Sequence, residues 1–279
     1  MMQIPDKQIE PKSHSSNGQT DRLGGAARRS LWKLLTALYG PATRAWFSQH
    51  LKSIENGEGL FLGCGTGEET FHLANLLGKT VRLCGLDEDA AFVEEALLAK
   101  SFGKVGHVHF HQASLAEWNP GQGYDFIFTG QTTPSLPDWQ LIAKHLKPGG
   151  ELFAQVLDFS GFNSFPYNHA FARSIDIIRS LSELPANAAE VRGYLTASLR
   201  QAGLDTIELT SAVPAFMPSE FNSILSLVME GCRASILPGN HATREELNSL
   251  LLELKQHETQ EDTLISRPGI WNIRAKKSR

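Results

Sequence analysis

The stretch from Leu60 to Gly78 reads LFLGCGTGEETFHLANLLG: a short apolar run, three glycines within five positions, then apolar residues at helical spacing. Glycine lets a backbone turn sharply and approach a ligand closely. A helix that starts directly after such a turn leaves its first N–H groups free. A strand, a glycine turn and a helix in that order therefore form a ligand-binding unit at the strand's carboxyl end, and the spacing limits the ligand. A dinucleotide fingerprint needs Gly-x-Gly-x-x-Gly, but the position three past Gly65 is Glu68, and the third glycine falls one residue early at Gly67. An acid in the first helical turn also repels a pyrophosphate. No Gly-Lys-Ser/Thr follows, which excludes a P-loop. A ligand without phosphates, with room for a positive centre, suits Gly63, Gly65, Gly67, Glu68 and Glu69.

After this unit strands and helices alternate. TVRLCGLD is a strand, EDAAFVEEALLAKSFG a helix, HVHFHQA and YDFIFT strands, SLPDWQLIAKHLKPGG a helix with a Lys-Pro-Gly-Gly stop, and ELFAQVLDF a strand. That rhythm predicts an α/β fold, a doubly wound sheet with helices on both faces. Residues 1–25 read as a flexible polar arm, and 26–56 as two lid helices broken at Gly40-Pro41. Residues 57–212 read as the ligand-binding core, with substrate helices inserted at about 160–203. Residues 213–279 read as a helical cap and a final strand, PGIWNIRAKK.

The chain carries a net charge of −4, and its basic clusters, ARRSLWK and RAKKSR, are short and terminal, so nucleic acid is not an expected partner. Three cysteines with no CxxC pair argue against a disulfide framework and a zinc site. No signal-type segment or membrane-length apolar run is visible, so a cytoplasmic protein without membrane contact is expected. His107, His109 and His111 share one strand face, but no acid or cysteine clearly joins them, and no metal is expected.

The ordered motifs resemble those of the class I S-adenosylmethionine-dependent methyltransferases. LFLGCGTG is similar to the family's first motif, with Gly63, Cys64, Gly65 and Gly67 at the methionine part of the cofactor. VRLCGLDED is similar to the second, which implies that Asp87, with Glu88 beside it, holds the ribose hydroxyls. HFHQASLAEW implies an adenine site at Ala113, Ser114 and Leu115. YDFIFTG, with Thr129, resembles the fourth strand, and HLKPGGELF the turn into the fifth. The resemblance implies a seven-stranded sheet of order 3-2-1-4-5-7-6, S-adenosylmethionine as cofactor, and methyl transfer.

Two positions depart from the family pattern. An acid usual two residues before the first glycine is here Phe61, and an Asp usual beside the adenine is Ser114. A lost charge-assisted hydrogen bond costs roughly 1.5–3 kcal/mol; Glu68, Glu69 or an acid from the arm are candidates to compensate. The aromatic stretch after the fifth strand supplies Asp158, Tyr167 and His169 as candidate catalytic residues. Phe216, Met217, Phe221, Leu225 and Met229 form an apolar cap or plain core, and Trp32 and Tyr39 either close over the cofactor or pack in the core. The expected acceptor is a small, largely apolar metabolite, methylated on oxygen, nitrogen or carbon. Three alternatives stay open: a cofactor-binding protein without methyl transfer, a nicotinamide-dependent oxidoreductase, and a protein substrate. A homodimer is also left open.

Overall fold

The computed structural model describes residues 22–51, 54–103, 106–132, 137–182, 185, 187–212 and 222–278. The arm up to residue 21 and the cap positions Phe216, Met217 and Phe221 lie outside the described residues. Strands β1 (Gly57–Leu62), β2 (Val81–Asp87), β3 (Val108–Gln112), β4 (Tyr124–Thr132) and β5 (Leu146–Asp158) pair in parallel, in the order β3-β2-β1-β4-β5. Beyond β5 the sheet continues with β9 (Gly269–Lys277) and then β7 (Leu204–Ala212), and β9 runs antiparallel to both neighbours. Numbered along the chain, these seven strands give the expected order 3-2-1-4-5-7-6. Two-residue strands β6 (Ser164–Phe165) and β8 (Leu264–Ile265) form a separate pair.

Period-two alternation assigns the strands to two cores. Phe61, Phe126, Phe128 and Phe153 face one side, where they meet Leu73 and Ala74 of α2 (Glu68–Leu77) and Val93 and Ala96 of α3 (Ala90–Gly103). Their neighbours Leu60, Ile127, Leu152 and Ala154 face the other. There they meet Trp139 and Ile142 of α4 (Trp139–His145) and Val191, Leu195 and Leu199 of α6 (Ala188–Gln201). On the first face Gly59 makes room for an aromatic ring: a Cβ there would lie 2.1 Å from Phe126 Cε2 and 2.7 Å from Leu83 Cδ2. Gly59→Ala is therefore expected to destabilise the domain by about 3 kcal/mol through overpacking. Urea unfolding checks this by a lower midpoint at unchanged slope.

The N-terminal region differs from expectation. It is one helix, α1 (Arg22–His50), which passes through Pro41 without the break predicted at Gly40-Pro41. Packing on both sides of the proline overrides the local preference. Trp46, Phe47 and Leu51 belong to the sheet core, while Leu31, Leu35, Leu38 and Tyr39 belong to a third core. The Thr43 hydroxyl, 2.9 Å from Tyr39 O, adds a local hydrogen bond just past the proline. The predicted helix into Lys-Pro-Gly-Gly is also shorter, because Pro148 disfavours helical backbone at Lys147 and β5 already starts at Leu146.

The third core is the cap: α1 packs with α5 (His169–Ser182), α7 (Ile224–Gly231), α8 (Arg233–Ile236) and α9 (Arg244–Glu258). Within it Glu258 is buried and accepts hydrogen bonds from Ser226 Oγ (2.7 Å) and Ser226 N (3.1 Å). Burial pushes its carboxyl up to about 7, with the Ser226 hydrogen bonds opposing. A raised folded-state pKa favours the protonated form. Its contribution to stability is complete below the ordinary value of 4.5 and is lost as the pH climbs to about 7. The wild type is expected to lose about 2 kcal/mol more stability between pH 5 and pH 8 than Glu258→Gln does, as read by urea unfolding at both pH values.

Candidate functional site

The glycine turn is held by its neighbours on β2. Gly63 N and Cys64 N both donate to Leu86 O, at 2.8 and 3.2 Å. All three glycines have positive φ, 63° at Gly63, 53° at Gly65 and 84° at Gly67, a region costly for other residues. Asp87, at the end of β2, ties the turn in place: its Oδ2 accepts from Gly65 N at 2.9 Å and its Oδ1 from Asp89 N at 3.0 Å. A Cβ at Gly65 would meet the Trp32 ring at 2.5–2.9 Å, so α1 lies directly on the turn. Among the described residues nothing lies within 4 Å of a Cβ at Gly63, and bare backbone there faces open space.

That space is a cavity of about 530 Å³ along the carboxyl edge of the sheet. The strand order dictates its layout: Ala113, Ser114 and Leu115 after β3, then Asp87 and Glu88 at β2, Leu62 and Gly63 at β1, and Gly130 on β4. Apolar walls come from Leu31, Trp32 and Leu35 of α1, Phe92 of α3, and Leu141 and Ile142 of α4. Four carboxylates line it (Asp87, Glu88, Asp89 and Asp138), and among the described lining residues there is no Lys, Arg or His. Asp138 also caps α4, accepting from Leu141 N at 2.9 Å.

Of the residues singled out in the sequence, Gly63, Asp87, Glu88, Ala113, Ser114 and Leu115 come together on this cavity. Gly65, Gly67 and Cys64 form the turn beneath. The Cys64 thiol is fully buried, and burial first, then the Asp87 carboxylate beside it, pushes its pKa well up, which removes it as a nucleophile. Thr129 is buried just before the lining residue Gly130. The Ser114 hydroxyl donates to Glu117 Oε2 at 2.9 Å, inside its own loop.

The structure does not bring Asp158, Tyr167 and His169 to the cavity. Asp158 is buried and accepts from Trp271 Nε1 (3.0 Å) and Ser160 N (2.8 Å). Tyr167 is 77% exposed, and His169 opens α5 at the surface. Leu225 and Met229 are cap core, and Tyr39 is buried with its hydroxyl donating to Pro268 O at 2.6 Å. Of the two weighed aromatics only Trp32 lines the cavity. Among the described residues no three His, Cys, Asp or Glu side chains converge as a metal site; His111 packs on Trp118 and His109 is exposed. No helix among the described residues is long and apolar enough to cross a membrane.

Sequence reasoning missed the α1 wall of Leu31 and Leu35, the α3 residue Phe92 and the α4 residues Leu141 and Ile142. Their apolar spacing was visible, but it does not tell a ligand wall from a helix core.

An adenosyl sulfonium ligand fits this cavity. Bare main chain at Gly63 permits close approach, Asp87 offers a carboxylate to a vicinal diol, and the acidic lining suits a cation. Residues 60–150 match the family model described as a methyltransferase domain. Trans-aconitate 2-methyltransferase of Escherichia coli strain 55989 is 33% identical over 101 residues, which are 35% of this chain and 38% of that relative's length. Among solved structures, coclaurine N-methyltransferase bound to N-methylheliamine and S-adenosylhomocysteine has a TM-score of 0.53 at 14% identity, over 85% of this chain and 72% of that one. The [4+2]-cyclase SpnF also has a TM-score of 0.53, at 16% identity, over 85% of this chain and 80% of that one.

Proposed function

We propose that this chain, whose residues 60–150 match the methyltransferase-domain family model, is a class I S-adenosylmethionine-dependent methyltransferase that binds S-adenosylmethionine along the sheet edge and methylates a small, neutral or cationic, largely apolar acceptor. The observation that carries this reading is a cavity onto which the bare Gly63 backbone and the Asp87 carboxylate both open, walled by apolar side chains, with acids as the charged groups among its described lining residues. A pyrophosphate would meet four carboxylates and, among the described residues, no basic side chain there, which counts against a nicotinamide dinucleotide. The same charge pattern counts against a polycarboxylate acceptor such as the one in the E. coli relative's name.

When bound, S-adenosylmethionine supplies a sulfonium methyl with its leaving group already activated. The protein's part is then placement and exclusion of water. Asp87 accepts backbone N–H groups through both carboxylate oxygens, and a group with two acceptor oxygens and no donor suits the two ribose hydroxyls. Ala113 and Leu115 offer apolar contact to the base. Leu31, Trp32, Leu35 and Leu141 shield the reacting centre from solvent and favour an acceptor with an apolar body.

The test is transfer of labelled methyl to a panel of apolar amines, phenols and di- or tricarboxylates. Transfer to members of the first two classes is expected, and preferential methylation of the acids would refute the reading. A second reading, binding without methyl transfer, is favoured by Phe61, whose ring stacks on Phe128 with centroids 6.2 Å apart where the family usually has an acid. The cyclase among the structural neighbours shows that this fold hosts other chemistry. Cofactor binding with no product from any of the three classes would select that second reading.

A further inference from the structure

Behind the wall formed by Trp32 and Gly130 lies a second, smaller chamber of about 10 Å³, lined among others by Phe61, Glu69, Thr43 and Gln155. Trp32 and Gly130 line both spaces, so they form the partition between them. The chamber has room for about one water molecule, or for an ammonium group of similar size.

Glu69 is the unusual group in this chamber. It sits in the first turn of α2, only 5% exposed, and neither carboxylate oxygen has a hydrogen-bond partner among the described residues. Among the described residues its ion-pair partner is Arg44, with Nη1 3.4 Å from Oε1. Glu68, one residue earlier, has a 60% exposed side chain and faces solvent. Leaving a buried carboxylate without hydrogen bonds is costly, so Glu69, with only the Arg44 ion pair among the described residues, suits a further donor. Burial pushes the Glu69 carboxyl up, with Arg44 opposing and Glu68 adding to it, as expected for an acid short of donors.

The sheet order gives the direction of approach. A ligand with its base after β3 and its ribose at β2 continues over β1 and β4, towards Gly63, Gly130 and the Trp32 partition. We propose that Glu69 receives the α-ammonium group of the adenosyl ligand's amino-acid end, with the Trp32 ring moving aside to join the chamber to the main cavity. This rests on the cofactor reading above. The carboxylate meant for the amino group is thus supplied from the helix after the glycines, eight residues beyond Phe61.

Calorimetry on the full chain with three probes tests it: S-adenosylhomocysteine, its desamino analogue, and 5′-deoxy-5′-methylthioadenosine, which lacks the whole amino-acid end. The wild type is expected to bind S-adenosylhomocysteine at least tenfold more tightly than the desamino analogue. Glu69→Gln is expected to abolish that preference and to leave methylthioadenosine affinity unchanged. Equal wild-type affinities for S-adenosylhomocysteine and the desamino analogue would overturn the proposal without any variant. An undiminished preference in Glu69→Gln would overturn it as well. If the wild type binds none of the three probes, the cofactor reading itself falls.

Discussion

Asp87→Ala is expected to weaken S-adenosylhomocysteine binding at least a hundredfold while the protein still folds. The carboxylate has two separate tasks. Its oxygens hold Gly65 N and Asp89 N, which fixes the turn against the end of β2. The carboxylate also lines the cavity, where two ribose hydroxyls would bind it. A hydrogen bond to a charged group is worth roughly 1.5–3 kcal/mol, so losing two of them exceeds a factor of a hundred before any loosening of the turn. Asp87→Asn separates the tasks, because an amide keeps one acceptor oxygen and brings a donor that the Gly65 N–H cannot use. Its affinity should fall between the other two proteins. Calorimetry measures the three constants, and a melting curve confirms that each protein is folded.

Gly65→Val is expected to remove measurable binding of the same ligand and to lower the melting temperature. At φ 53° a β-branched residue is strained, and strain of this kind costs about 1–3 kcal/mol. The added Cβ would also sit 2.5 Å from Trp32 Cε2, so either α1 lifts or the turn collapses towards β2. Both outcomes spoil the cavity, since Trp32 is part of its wall. Trp32→Ala in the same background relieves the collision but not the backbone strain. The double variant should therefore recover part of the melting temperature and none of the binding. Full recovery of both would show that the turn needs no glycine.

The parts of the site legible in the sequence were those fixed by local chemistry. Positive φ at Gly63, Gly65 and Gly67 demands glycine wherever the chain folds, and Asp87 sits a fixed distance along the next strand. The alternation of strands and helices gave the parallel half of the sheet in the same way. What stayed hidden depends on partners far along the chain. Asp158 looked like a free acid near a substrate pocket, but its partner is the indole of Trp271, 113 residues away on β9. The continuity of α1 across Gly40-Pro41 follows from two cores that grip its two halves, and no local rule at Pro41 contains that information. Glu68 and Glu69 are alike as letters, and only the fold turns one to solvent and buries the other beside Trp32 and Phe61. Leu225 and Met229 read equally well as a pocket wall or as core, and cap packing makes them core.

A crystal structure of the full chain grown with S-adenosylhomocysteine tests the central claim most directly. The ribose hydroxyls are expected on the Asp87 carboxylate, the base against Ala113 and Leu115, and the amino-acid end directed over Gly63 towards Gly130. A ligand bound elsewhere, or lying with its base at the β4 end of the cavity, would contradict it.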